Sequence, residues 1–177
     1  MKILIKIGFG GGCHWCTEAV FQHLKGVEKV EQGWIASSDE NESFSEAVVV
    51  YFYPEQIPLE VLVEIHLNTH NSTSLHSFRE KYRSAVYTFS EIQKDEISAI
   101  IEALQPQFEY KIITKVIPFV SFKASREQIV DYYKKNPQKP FCETFINPKL
   151  KLLLDKYNNY TKTEELQHIT TSANENQ

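Results

Sequence analysis

A run of three glycines, Gly10-Gly11-Gly12, separates an apolar segment from one of helical composition, and it constrains the chain more than any other feature. Residues 2–8 before it read as a strand, and residues 14–25 after it as a helix closed by Gly26. Cys13 therefore stands where a sharp backbone turn meets a helix start. The unpaired N–H groups and partial positive charge of a helix N-terminus stabilise a thiolate. They draw a cysteine pKa below its free value of about 8.5, and the glycines leave the sulfur approachable. This reading makes Cys13 a nucleophile, against the alternative of a buried structural cysteine.

The same punctuation continues along the chain. Residues 27–35 read as a strand, 37–43 as a polar loop, and 46–53 as a β-branched, aromatic strand ended by Pro54. Pro58 opens a helix to about residue 67, and the polar run 68–81 reads as a loop before a strand at 82–89. Ser90 and Gln93 make a capping box for a helix carrying Ile97, Ile100, Ile101 and Leu104, which Pro106 stops. A strand at 111–119, a helix at 126–135 and a last helix from Pro148 to about residue 157 complete the pattern. Strands alternating with helices predict an α+β or α/β sandwich, one sheet with helices packed on it. A single domain is expected over residues 1–160, followed by a polar, disordered tail at 161–177.

Composition narrows the function. The 177 residues carry a net charge of −4 with no basic cluster, which argues against a nucleic-acid surface. Lys134, Lys135, Lys139, Lys149 and Lys151 are interrupted by other residues and read as solvated surface. No segment approaches the roughly 20 apolar residues of a membrane helix, and the start of the chain lacks the cleavage signature of a secretory leader. Three cysteines make no disulfide framework, so reduced, functional thiols in a cytoplasmic monomer are expected.

Four further positions stand out. Cys16 completes a Cys-x-x-Cys, which fits a redox pair, half a zinc site or a small packing residue. Glu46 heads an apolar strand face shared with Val48, Val50 and Phe52; it is either a solvent-edge carboxylate or a desolvated acid with a raised pKa. Tyr82 sits where a loop enters a strand, a place more often used for packing. Cys142 lies in a proline-bracketed loop able to swing a second thiol towards a first.

Gly12-Cys13-His14-Trp15, with Glu18, Phe21 and Gly26-Val27, resembles the Gly-Cys-Phe-Trp signature of the A-type peptide methionine sulfoxide reductases. Phe44-Ser45-Glu46-Ala47-Val48 is similar to that family's His-Ala-Glu segment, and Tyr82-Arg83-Ser84-Ala85-Val86-Tyr87 to its Tyr-Arg-Ser-Ala-Ile-Tyr strand. Lys135-Asn136-Pro137 with Phe141-Cys142 resembles its recycling segment. The resemblance implies a ferredoxin-like α+β fold and thiol-dependent reduction of methionine (S)-sulfoxide, free or in proteins, as a protein-repair response to oxidative stress. It assigns Cys13 as nucleophile, Glu46 and Tyr82 as groups facing the sulfoxide oxygen, and Cys142 as resolving thiol, with Cys16 as the alternative resolver. His14 and Trp15 would wall the pocket for the substrate methyl group. Thioredoxin or a similar dithiol would be the reductant, with no metal or organic cofactor. His14 replaces the family's phenylalanine, and a second phenol and an aspartate of the family have no counterpart here. A thiol–disulfide oxidoreductase using Cys13-x-x-Cys16 and a non-catalytic sulfoxide binder are the competing expectations.

Overall fold

In a computed structural model the chain is described over residues 2–169. Strands β1 (Ile5–Gly10), β2 (Val27–Ala36), β3 (Ser45–Phe52), β4 (Ala85–Thr88), β5 (Lys115–Pro118) and β6 (Ser121–Ala124) form one sheet in the order β5-β4-β1-β3-β2-β6. All neighbours are antiparallel except β4 and β5, which run parallel and are joined by helix α3 (Glu91–Leu104). This is the mixed α+β sheet expected, with helices packed on it.

The centre of the sheet is buried on both faces. Val48, Val50 and Phe52 of β3 point into the main core, where they meet helix α1 (His14–Gln22), helix α2 (Leu59–Asn68), α3 and helix α5 (Asn147–Lys156). Phe9 of β1 and Phe21 of α1 stack there with centroids 4.6 Å apart, worth about 0.5–1.5 kcal/mol beyond their area burial. The opposite face carries a smaller cluster of Ile35, Ala47, Val49, Ala85 and Tyr87, covered by aromatic side chains such as Phe89, Phe119 and Phe122. α1 is thus pressed against the sheet centre, which fixes the position of Cys13.

Several elements differ from the sequence reading. α1 stops at Gln22 because residues 23–25 exchange backbone hydrogen bonds with the C-terminal segment: Lys25 N–H donates to Tyr160 O (2.7 Å) and Lys162 N–H to His23 O (2.8 Å). Gly26, at φ +89°, then turns the chain into β2. The expected disordered tail is accordingly ordered as far as residue 169: Thr161 is fully buried, and Leu166 and Ile169 join the core. Residues 170–177, including Ser172–Gln177, lie outside the described residues. The helix expected at 126–135 is broken into a short 3₁₀ turn and helix α4 (Tyr132–Lys135), because Asp131 adopts a left-handed conformation at φ +57°. Strand β4 begins at Ala85 and not at Tyr82, and β6 had no counterpart in the reading. The capping box is present: Ser90 Oγ accepts from Gln93 N–H at 3.1 Å, while Gln93 Oε1 accepts from Phe89 N–H at 2.9 Å.

Candidate active site

Gly11 carries the chain from β1 to α1 in a space too narrow for any side chain. A Cβ there would lie 2.4 Å from Cδ2 of His70, whose ring is held between His66 O (2.5 Å) and Ser84 Oγ (2.8 Å). Cys13 follows as the N-cap of α1, its carbonyl accepting from the N–H groups of Cys16 (3.1 Å) and Thr17 (3.3 Å). The Cys13 thiol is held below its ordinary pKa chiefly by a hydrogen bond from the Cys16 side chain. Backbone N–H groups of Trp15 and Cys16 assist, while burial and the nearby Glu46 oppose. Cys16 is correspondingly pushed up, since its proton is engaged with the Cys13 sulfur. The helix terminus and its neighbour thus favour a thiolate on Cys13 over one on Cys16.

Glu46, the second residue of β3, pairs with Trp34 of β2 and is only 6% exposed, so the solvent-edge alternative does not hold. Its Oε1 accepts from His14 N–H (3.3 Å) and lies 3.3 Å from His14 Nε2; its Oε2 is 3.6 Å from Lys81 Nζ. His14 is not a wall of the open space beside Cys13. Its ring is 97% buried, turned towards Glu46 and Gly33 O (2.8 Å to Nδ1) and edge-on to Trp34. Burial lowers the His14 pKa, the Gly33 carbonyl and Glu46 raise it, and Lys81 lowers it again.

A cavity of about 360 Å³ opens in front of Cys13 and Cys16, bordered by Tyr82, Phe78, Phe141, His70 and Lys149. Tyr82 lies in the turn before β4, its N–H donating to Phe78 O (2.9 Å). Trp15 and Glu46 do not border this cavity; Trp15 is stacked on Tyr132 of α4 at 4.1 Å and reaches it through Phe141, to which it is edge-on at 5.5 Å. Cys142 is fully buried in a π-helical turn, Cys142–Ile146, with its Sγ 3.5 Å from Asn136 O, so the mobile loop expected there is a helical segment. Burial pushes the Cys142 thiol up. Cys16 lies within electrostatic reach of both Cys13 and Cys142, and all three thiols are free.

The sequence reading missed three contributors. Lys149, read as surface, reaches in from α5 to the Thr69 carbonyl and borders the cavity; burial lowers its pKa while Cys16 and Cys13 raise it. Tyr132 supplies a phenol close enough to feel Cys13 and Cys142. Buried Glu18 of α1 accepts from the N–H groups of Asp131 (3.2 Å) and Tyr132 (3.3 Å) and so fixes α4 against Trp15. Only Glu18 had a signal, as the one carboxylate of α1 and a member of the family-like signature around Cys13.

The model of the peptide methionine sulfoxide reductase family matches residues 5–162. The chain belongs to that family. Family members named peptide methionine sulfoxide reductase MsrA from Pasteurella multocida and from a Psychrobacter species are each 36% identical to it. The match covers 80% of this chain and 89% of the first relative, and 85% and 95% for the second. The reduced form of yeast Mxr1 superposes with a TM-score of 0.67 at 25% identity, over 80% of this chain and 91% of that one. Yeast Mxr1 in complex with Trx2 shares the fold, with a TM-score of 0.57 at 24% identity over 71% and 83% of the two chains. Family membership makes reduction of methionine sulfoxide the activity of the chain.

Proposed function

We propose that this chain reduces the S-epimer of methionine sulfoxide, free or within proteins, through covalent chemistry at Cys13. The observation that carries the reading is the placement of one thiolate-favouring cysteine beside one buried carboxyl, joined through the N–H of the intervening His14. The sulfoxide oxygen is a poor leaving group until it is protonated. Glu46 acts as general acid towards it, with Tyr82 at the cavity edge as a second hydrogen-bond donor. The Cys13 thiolate bonds to the sulfur; the protonated oxygen then passes to the Cys13 sulfur as the substrate S–O bond and the new S–S bond break, so that methionine departs and Cys13 is left as a sulfenic acid. Sulfoxide sulfur gains the electron pair that Cys13 loses. Trp15, stiffened by Tyr132 and Phe141, provides the apolar wall against which the methyl group rests.

A second thiol then displaces water to form a disulfide, which an external dithiol, thioredoxin or its like, reduces by exchange. Cys142 is the resolving thiol in this reading, reaching Cys13 when the π-helical turn loosens. Cys16 is the competitor, because it stands three residues from Cys13 and the two thiols already perturb each other. The same contact keeps a general thiol–disulfide oxidoreductase in view. Protein repair under oxidative stress in a reducing cytoplasm, by a monomer, is the setting that fits three reduced thiols.

The test mixes reduced protein and dithiothreitol with resolved S- and R-epimers of dabsyl-methionine sulfoxide, and separately with insulin. Methionine from the S-epimer alone is expected, and Cys13→Ser should remove it. Residual activity of the variant above about a hundredth of wild type would exclude Cys13 as nucleophile, since losing a covalent catalyst costs several kcal/mol of barrier. Insulin reduction without sulfoxide turnover would favour the oxidoreductase.

A further inference from the structure

His14 faces Glu46 in a way that leaves one proton to be accounted for. The Gly33 carbonyl can only accept, so His14 Nδ1, 2.8 Å away, carries a hydrogen. Nε2 then meets Glu46 Oε1 at 3.3 Å with both side chains buried. Two bare lone pairs aimed at each other without water would repel, so a hydrogen lies between them. It sits either on the imidazole, giving an ion pair, or on the carboxyl, giving a neutral pair. The backbone N–H of His14 also bonds Oε1 and keeps the two groups in register.

Rotation of the ring away from this partner is closed off. Gly33 and Trp34 of β2 hold the opposite edge and face, the indole lying 5.1 Å away and edge-on, with Lys123 of β6 over the outer side of that indole. The other groups around the pair are Cys13 at the head of α1, Lys81 at 3.6 Å from Oε2, and Tyr82, whose ring lies beneath the Lys81 ammonium. Lys81 is exposed and joins Oε2 to solvent. A proton on the pair also relieves Cys13, because a charged Glu46 works against its thiolate.

We propose that His14 is a positioning residue that shares the catalytic proton with Glu46, so that the acid delivered to the sulfoxide oxygen belongs to the pair. The inference rests on Glu46 being the general acid. In the step, Cys13 bonds to the sulfoxide sulfur and the pair gives up its single proton to the oxygen; the oxygen then passes to the Cys13 sulfur as the substrate S–O bond and the transient S–S bond break, which frees methionine. What remains is a neutral imidazole, still bonded to Gly33, and a Glu46 carboxylate; water returns the proton on the Lys81 side before the next turnover. The imidazole gives that proton a second site 3.3 Å from the carboxylate, so the pair holds it more firmly than a carboxyl with no such partner.

The experiment is single-turnover methionine release from pH 5 to 9 for wild type, His14→Phe, His14→Gln and Glu46→Gln, with thermal unfolding to confirm that each folds. Phenylalanine keeps a ring against Trp34 and removes both nitrogens; glutamine keeps a polar contact but cannot share a proton in this way. Both His14 variants should approach the wild-type rate near pH 5 and fall at least about tenfold behind it at pH 8, moving the alkaline limb about one unit towards acid. An unchanged limb, or a rate lowered by the same factor at every pH, would overturn the proposal and leave His14 a packing residue. Glu46→Gln separates the two failures: if it is slow while the His14 limb is unmoved, only the sharing fails, and if it is as fast as wild type, the Glu46 assignment fails first.

Discussion

Glu18→Gln should make the protein more stable at pH 8 and leave it unchanged at pH 5. Glu18 is 1% exposed, and burial pushes its carboxyl from the ordinary 4.5 up to about 7, against the pull of the Asp131 and Tyr132 N–H groups and the Gln32 amide. The folded chain therefore keeps this proton to about pH 7 while the unfolded chain releases it near 4.5. Between those values the native state binds more protons, so wild-type stability falls as pH rises through the window. A gap of roughly 2.5 pH units is on the order of 3 kcal/mol. Some of it is returned, because the Asp131 and Tyr132 N–H groups bond different oxygens of the carboxylate and a glutamine NH2 cannot accept either, so that one bond is lost at about 1 kcal/mol. The glutamine amide gains a partner in exchange: Gln32 Oε1 is buried and has no hydrogen bond among the described residues. The net expectation is about 1–2 kcal/mol at pH 8, a rise in Tm of about 2–8 °C, and a difference within about 0.5 kcal/mol at pH 5. Urea titrations of both proteins at half-unit pH steps measure it. A difference independent of pH, or a less stable variant at pH 8, would refute the burial argument.

Two further outcomes follow from the site. Glu46→Gln should slow single-turnover methionine release by roughly 10²–10⁴, the span of a lost general acid, while substrate affinity changes much less; a wild-type rate would remove Glu46 from the chemistry. Cys142→Ser should release one equivalent of methionine and then stall with thioredoxin, with dithiothreitol restoring part of the turnover. A Cys13–Cys142 peptide pair in the oxidised, unreduced digest supports this, and a Cys13–Cys16 loop with Cys142 free transfers the role to Cys16.

What the sequence disclosed and what it hid divide along the range of the interactions. The turn into α1, the strand β3 and the capping of α3 were legible because glycines, a β-branched run and the Ser90–Gln93 spacing act within a few residues. Glu46 was legible as the carboxylate at the head of an apolar face, though its burial depends on α1 lying across it. The break in the helix expected at 126–135 was not legible: Asp131 is held by Gln22 at 2.6 Å and by Glu18, over a hundred residues away. Tyr82 leaves the strand because the Arg79 guanidinium gathers the carbonyls of Ser74, Gly11 and Tyr82. Lys149 looked like surface because only the packing of α5 on α1 brings it inward. His14 looked like a pocket wall because its partners, Gly33 and Glu46, lie on two strands that sequence spacing does not bring together.

The two outermost strands carry a consequence of their own. β5 and β6 are four residues each, and among the described residues the backbone groups on their far sides have no neighbour in the sheet. Such edges are templates for another extended chain, and oxidised proteins with loosened segments offer such chains in quantity. β5 starts on Lys115 and ends on Pro118, which has no N–H to offer, and β6 carries exposed Lys123. Shortness, charge and a missing donor make both borders poor partners for extension. An extended chain that meets either border therefore finds little to pair with, at the rim of the sheet and far from the turn that carries Cys13.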